Sequence, residues 1–191
     1  MVCPEGAVTD GWSVSERMVT HLTEVGETVA SAESLTAGLV SAAIADTPGA
    51  SVVLRGAIVA YAADVKVALL GVPASVVAEA GTVDPRVARA MAEGARLRLG
   101  ATWGISTTGV AGPGPAEGKP EGTVHLAVAG PRGTVTRALR LTGTRADVRR
   151  GAAAAALELA LDVMTGSAGR GHSPVPRDPA HDADGQTPAP S

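Results

Sequence analysis

Thr28-Val29-Ala30-Ser31-Ala32-Glu33-Ser34-Leu35-Thr36-Ala37-Gly38 is the stretch that decides the fold: a short apolar run ends in hydroxyl side chains and then turns helical. Thr28 to Ala32 is small and partly β-branched and reads as a buried strand, whereas Leu35 to Ala45 carries the three-to-four spacing of a packed helix. Ser34 then sits at a strand-to-helix turn. The first N–H groups of a helix lack intrahelical partners and face outward with the positive end of the helix dipole, which favours an anion or a developing oxyanion there. Ser34 and Thr36 are candidates for a nucleophile or for ligand contacts. The alternative is that Ser34 merely caps the helix, a common role for serine.

Working outward, the chain of 191 residues has 45% hydrophobic residues but no Phe, one Tyr and two Trp, so its core must be built from Val, Leu, Ile and many Ala. Such a core suits close packing of helices on a sheet. A net charge of −3 without a basic block argues against a nucleic-acid partner. Cys3 is the sole cysteine, which leaves neither a disulfide framework nor a cysteine-based zinc site and fits a reducing cytoplasm; no metal is expected. The opening Met1-Val2-Cys3-Pro4-Glu5-Gly6 is not a signal peptide. The most apolar late run, Ala152 to Met164, is interrupted by Glu158 and Asp162, so the protein is expected to be soluble, without a membrane partner. Lysine is scarce. Lys66 and Lys119 are the two lysines beside fourteen arginines, and an ammonium can lose its proton where a guanidinium in effect cannot.

Residues 1–12 read as a flexible N-terminus, 13–165 as the domain and 166–191 as a disordered tail, because the tail has almost no aliphatic side chains to bury. Within the domain, Ser13 to Val25 reads as an amphipathic helix with Val14, Met18, Val19, Leu22 and Val25 toward the core, ended by Gly26. Val52 to Ala60 reads as a buried strand with a bulge or close approach at Arg55-Gly56, and it delivers Tyr61 at its end. Helices follow over Asp64 to Leu70, from Pro73 to Gly81 and from Asp84-Pro85 to Leu99. Ala101 to Thr108 is a further strand, and Gly122–Ala129 with Thr134–Leu141 form a hairpin across Gly130-Pro131-Arg132-Gly133. Thr144 caps a last helix, Arg145 to Met164.

Two more features suit anion binding. The run Gly109-Val110-Ala111-Gly112-Pro113-Gly114-Pro115 lets backbone N–H groups converge on a ligand, although with Ala116 to Pro120 it reads equally as a mobile connector. Arg145 and Arg149 lie four apart near a helix start, where they could clamp a phosphate or carboxylate, or instead form surface ion pairs with Asp147 or Glu158. His172 and His181 fall in the tail, and His21 and His125 lack a motif context. A serine enzyme here would need a base other than histidine.

Ala32-Glu33-Ser34-Leu35-Thr36-Ala37-Gly38, Gly56 with Tyr61 and Lys66, Leu70-Gly71-Val72-Pro73, Thr108-Gly109-Val110-Ala111-Gly112-Pro113-Gly114, Lys119-Pro120 with Gly122-Thr123-Val124, and Gly143 to Arg149 together resemble the CinA C-terminal family, in order and at family-like spacing. The resemblance spans about residues 13–164. It implies an α/β fold, here expected as a single layered α/β/α domain with a mixed sheet, a C-terminal antiparallel hairpin and helices on both faces. It implies a nicotinamide-nucleotide amidohydrolase that converts nicotinamide mononucleotide to nicotinate mononucleotide and ammonia without a cofactor, as a homo-oligomer, a dimer being expected. Longer relatives carry an N-terminal molybdopterin-binding-like domain, so a stand-alone amidohydrolase is expected here. On this resemblance Ser34 is the nucleophile, Tyr61 and Lys66 are its proton-transfer partners, and Glu33, Thr36, Gly38, Thr108, Gly109, Gly112, Arg145 and Arg149 are the substrate-binding candidates. Leu35, Ala37 and Ala62-Ala63 stand where the family usually has cysteine, glycine and Ser-Asn. A non-catalytic nucleotide-binding or assembly protein that kept the fold is the other reading. Retention of Ser34, Tyr61 and Lys66 together favours the enzyme.

Overall fold

The computed structural model describes residues 9–167, with side chains from residue 14 onward. The expected N-terminal segment and tail therefore lie largely outside the described residues. Helix α1 (Thr9–Val25) begins four residues before the expected Ser13, and Met18, Val19 and Leu22 are buried as its apolar spacing requires, although Val25 is half exposed. Strand β1 (Val29–Glu33) is buried at every position. It is followed by a turn, then helices α2 (Leu39–Ala45) and α3 (Ala50–Val53) and strand β2 (Leu54–Val59). Helices α4 (Ala63–Leu70), α5 (Ala74–Ala80) and α6 (Pro85–Arg98) lead into β3 (Trp103–Gly109). The hairpin β4 (Thr123–Gly130) and β5 (Gly133–Arg140) turns at Pro131-Arg132, and α7 (Arg145–Met164) closes the domain.

The five strands lie in the order β2-β1-β3-β4-β5, with β1 parallel to β2 and β3 and the last two pairings antiparallel. This is the expected mixed sheet with a C-terminal hairpin. Its two faces differ in side-chain size. Val29, Trp103, Ile105, Val124, Leu126 and Val128 meet α1, α2 and α7 in the larger core, whereas Ala30, Ala32, Ala127 and Ala129 face α4 to α6. The alanine face lets α6 lie close: a Cβ at Gly104 would run into Ala92 O, and one at Gly94 into Leu70 O. Ser106 Oγ donates to Ala88 O of α6 at 2.6 Å, satisfying a buried hydroxyl in this tight layer.

Strand β2 differs from its expectation. It is an edge strand whose residues alternate between half-buried and exposed, so its outer side faces solvent. The expected irregularity at Arg55-Gly56 is present as a register shift that leaves Arg55 unpaired between Leu54 and Gly56, with Gly56 at φ 141°. Among the described residues no helix is long and apolar enough to cross a membrane.

The three parallel strands end on the same edge of the sheet. Their carboxyl ends release Ser34 after β1, Tyr61 just beyond β2 and the glycine-rich segment after β3. In open α/β sheets the crevice beyond such ends, where connections leave to opposite faces, is where ligands bind.

Candidate active site

Ser34 follows directly on β1, held by its N–H donating to Thr107 O at 3.0 Å. It is 7% exposed, and its hydroxyl makes no hydrogen bond among the described residues. The expected helix start behind it is displaced: α2 begins only at Leu39, after a turn whose Gly38 is the N-cap residue at φ 100°. Ser34 is therefore not the cap. That role falls to Glu33, which is fully buried. Its Oε2 accepts from Thr36 Oγ1 (2.8 Å), Gly38 N–H (2.7 Å) and Val40 N–H (3.1 Å), and its Oε1 from Ser31 Oγ (3.0 Å) and Ser41 N–H (2.9 Å). The anion that the helix start favours is thus the protein's own carboxylate, and a ligand has no place there.

Several of the residues expected to contact substrate are engaged within the protein. Glu33, Thr36 and Gly38 build the turn from within. Thr36 Oγ1 also shares a hydrogen bond of 2.7 Å with Thr107 Oγ1. Arg149 belongs to the same scaffold, since its Nε donates to Leu35 O (2.8 Å) and its second guanidinium nitrogen to Thr36 O (2.9 Å). Thr108 is 1% exposed and gives its hydroxyl to Thr82 O at 2.7 Å. One departure from the family pattern falls in this turn and carries backbone strain. Ala37 sits at φ 50°, in the left-handed region that glycine occupies without strain.

Five of the expected residues do meet. Ser34, Tyr61, Gly109, Gly112 and Arg145 line one pocket of about 270 Å³. Arg145, at the start of α7, donates to Gly112 O (2.6 Å) and to the Tyr61 hydroxyl (2.7 Å), bridging the glycine-rich segment to the end of β2. The expected clamp with Arg149 is not formed, because the two guanidinium groups address different carbonyls. The start of α7 is fixed by a reciprocal cap: Asp147 N–H donates to Thr144 Oγ1, and Thr144 N–H donates back to the Asp147 carboxylate.

Lys66 lies behind this pocket rather than in its wall. It is 0% exposed, and its Nζ donates to Tyr61 O at 2.8 Å. Burial pulls its pKa below the ordinary lysine value, while the Glu117 carboxylate acts in the opposite direction. No arginine contributes to the depression. The Ala62 that replaces the usual serine is the N-cap residue of α4 and offers no side-chain cap, so this departure alters the start of a helix.

Two polar lining residues escaped the sequence reading, Thr82 and Glu117. Residues 116–120 are not a loose connector: Ala116 and Lys119 pair as a β-bridge, and Lys119 Nζ donates to Ala80 O at 2.7 Å. The available signal was a carboxylate inside a Gly/Pro-rich run next to one of only two lysines. His125 stands apart on β4 opposite Thr108, its Nδ1 buried without a partner and its pKa lowered by burial.

The comparisons with known proteins agree with this fold. The sequence model of the CinA C-terminal domain matches residues 12–164. A "CinA-like protein" of Frankia casuarinae is 50% identical over 145 residues, covering 76% of this chain and 34% of that relative. A "putative competence-damage inducible protein" of Desulforamulus reducens is 46% identical over 145 residues, covering 76% of this chain and 35% of the relative. The chain thus spans about a third of the length of the curated relatives it matches. Among solved structures, the competence/damage inducible protein CihA of Agrobacterium tumefaciens superposes with a TM-score of 0.79 at 33% identity, covering 86% of this chain and 99% of that one. A CinA superfamily protein of Escherichia coli gives 0.79 at 26% identity, with 84% and 94% covered. With a family model matched over nearly the whole described region, the chain belongs to the CinA C-terminal domain family.

Proposed function

We propose that the chain is a serine amidohydrolase that deamidates nicotinamide mononucleotide to nicotinate mononucleotide and ammonia. The observation that supports this most is the grouping of Ser34, Tyr61 and Arg145 on one pocket, with a fully buried lysine hydrogen-bonded to the backbone of Tyr61. A binding protein has no need of a serine hydroxyl left without a protein partner on a pocket backed by an amine whose pKa is depressed by burial.

In this reading Ser34 Oγ attacks the carboxamide carbon and its proton passes to Lys66. The amine must turn from Tyr61 O toward Ser34, and catalytic hydrogen bonds commonly tighten only with substrate in place. The N–H groups of Leu35 and Thr36, which make no hydrogen bond among the described residues, are the proposed donors to the tetrahedral oxyanion. They replace the amides of α2, which Glu33 already occupies. Collapse of the tetrahedral adduct breaks the C–N bond and releases ammonia with the proton returned from Lys66. Water then hydrolyses the ester to give the acid and restore Ser34.

Arg145 is the proposed contact for the nucleotide phosphate. To reach it the guanidinium must give up Gly112 O and the Tyr61 hydroxyl, so part of the new contact offsets bonds already made. Arg145→Ala is therefore expected to weaken nucleotide binding by roughly tenfold, the low end for a charge-assisted pair, as read by titration calorimetry. Unchanged affinity would place the phosphate elsewhere. Tyr61→Phe removes the hydroxyl that Arg145 holds but keeps the backbone carbonyl that Lys66 addresses, so turnover should fall by only about tenfold. The direct test is ammonia release from nicotinamide mononucleotide by the purified chain. No release at stoichiometric enzyme would overturn the reading.

A further inference from the structure

Much of the pocket wall is a glycine-rich segment, which by composition has little reason to hold one shape. It is held nonetheless. Glu117 Oε2 accepts from Thr82 N–H (2.6 Å) and Val83 N–H (3.3 Å), and Oε1 accepts from Thr82 Oγ1 (2.8 Å). The carboxylate lies so close over Gly81 that a Cβ there would collide with it. Glu117 itself adopts φ 51°, a left-handed conformation unfavourable for a non-glycine residue, and its three hydrogen bonds offset that cost.

Resting on the amidohydrolase reading of this pocket, we propose that Glu117 is a positioning residue: its carboxylate clamps the glycine-rich wall onto the Gly81–Val83 turn and presents a fixed negative charge to the buried Lys66 amine. Thr82 is the joint of this clamp, since its carbonyl also receives the hydroxyl of Thr108 on β3. The carboxylate stays ionised: burial works against its charge, but the hydrogen bonds from Thr82 and Val83, with Lys119 nearby, hold it below the usual carboxylate range. The elements around Lys66 carry other charges, Asp64 on α4 itself and the arginines and Glu93 of α6; Tyr61, whose carbonyl holds Lys66 Nζ, lines the same pocket as Glu117, and the Glu117 carboxylate opposes the effect of burial on the amine. Removing that charge leaves desolvation unopposed, so the lysine should release its proton at lower pH.

Two variants separate clamp from charge. Glu117→Gln loses the charge and weakens the clamp; Thr82→Val loses one clamp hydrogen bond and keeps the charge. Because the chain has only two lysines, ¹³Cε-lysine labelling yields two signals, and Lys119→Arg assigns the one from Lys66. In the folded protein the Lys66 signal should titrate at lower pH in Glu117→Gln than in wild type, and at the wild-type pH in Thr82→Val. In the assay with nicotinamide mononucleotide, both variants should raise KM, Glu117→Gln by about tenfold, and only Glu117→Gln should move the acid limb of kcat to lower pH. A Lys66 titration unchanged or raised in Glu117→Gln would overturn the proposal. So would a raised KM in Glu117→Gln with an unmoved acid limb. The NMR arm needs no turnover, so an inactive wild type would overturn the amidohydrolase reading while the Lys66 titration still decides the role of Glu117.

Discussion

Replacing Lys66 by methionine is expected to cut ammonia release by about 10²–10⁴-fold, the range lost with a general base, while raising the melting temperature of the protein at neutral pH. Both effects come from the same burial. Lys66 is 0% exposed and donates a single hydrogen bond, to Tyr61 O, so a charged ammonium there is poorly solvated. Its pKa is lower folded than unfolded, and the unfolded chain therefore binds more protons below the ordinary lysine value of 10.5. By linkage the Lys66 contribution makes stability rise with pH, from the depressed folded pKa up to that value. Methionine has similar reach and no charge, so the variant should lack this slope, read as the difference between wild-type and variant melting temperatures across the alkaline range. Arginine is the poorer probe, since a guanidinium stays charged in a buried site and is expected to lower stability. Near-normal ammonia release from Lys66→Met would remove the lysine from the mechanism.

Ser34→Ala is expected to abolish turnover by a factor on the order of 10⁴–10⁶, as when an acyl-transfer nucleophile is deleted, with little change in nucleotide affinity or stability. The side chain is small, and its hydroxyl makes no hydrogen bond among the described residues, so its loss leaves no buried group unpaired. The main-chain bond from Ser34 N–H to Thr107 O, which fixes the turn, survives the substitution. Calorimetric binding together with single-turnover ammonia release checks both halves. Wild-type release rates would mean that water is activated directly and that Ser34 only shapes the pocket.

Much of the fold was legible because its signals are local. The last helix was read at its observed bounds, Arg145–Met164, from Thr144 as its cap. The hairpin followed from a Gly-Pro-Arg-Gly turn between two β-branched runs, and the irregularity of β2 from Arg55-Gly56. Local pattern failed at Leu35 to Gly38, which has helical spacing and is nonetheless a turn. A buried glutamate five residues before Gly38 captures the amides that begin α2 and so sets where the helix starts. It also failed at β2, because burial at a sheet edge depends on what lies beside the strand, and nothing pairs with its outer side among the described residues.

The sequence by itself determined the order and kind of the elements, the alanine-rich face that admits α6, the presence of Ser34, Tyr61 and Arg145 at element ends and that of Lys66 within a short helix. Periodicity, capping residues and turn chemistry act over a few positions, so they can be read without knowing the rest of the chain. Only the tertiary structure decided what these residues touch. It sent Arg145 to the Tyr61 hydroxyl, 84 positions away, and Arg149 to the carbonyls behind Ser34. It also drew Glu117 onto the turn before α6 and sealed Lys66 from solvent. Each of these contacts forms because a parallel sheet brings distant strand ends to one edge, and a polar group buried there must take whatever partner the packing supplies.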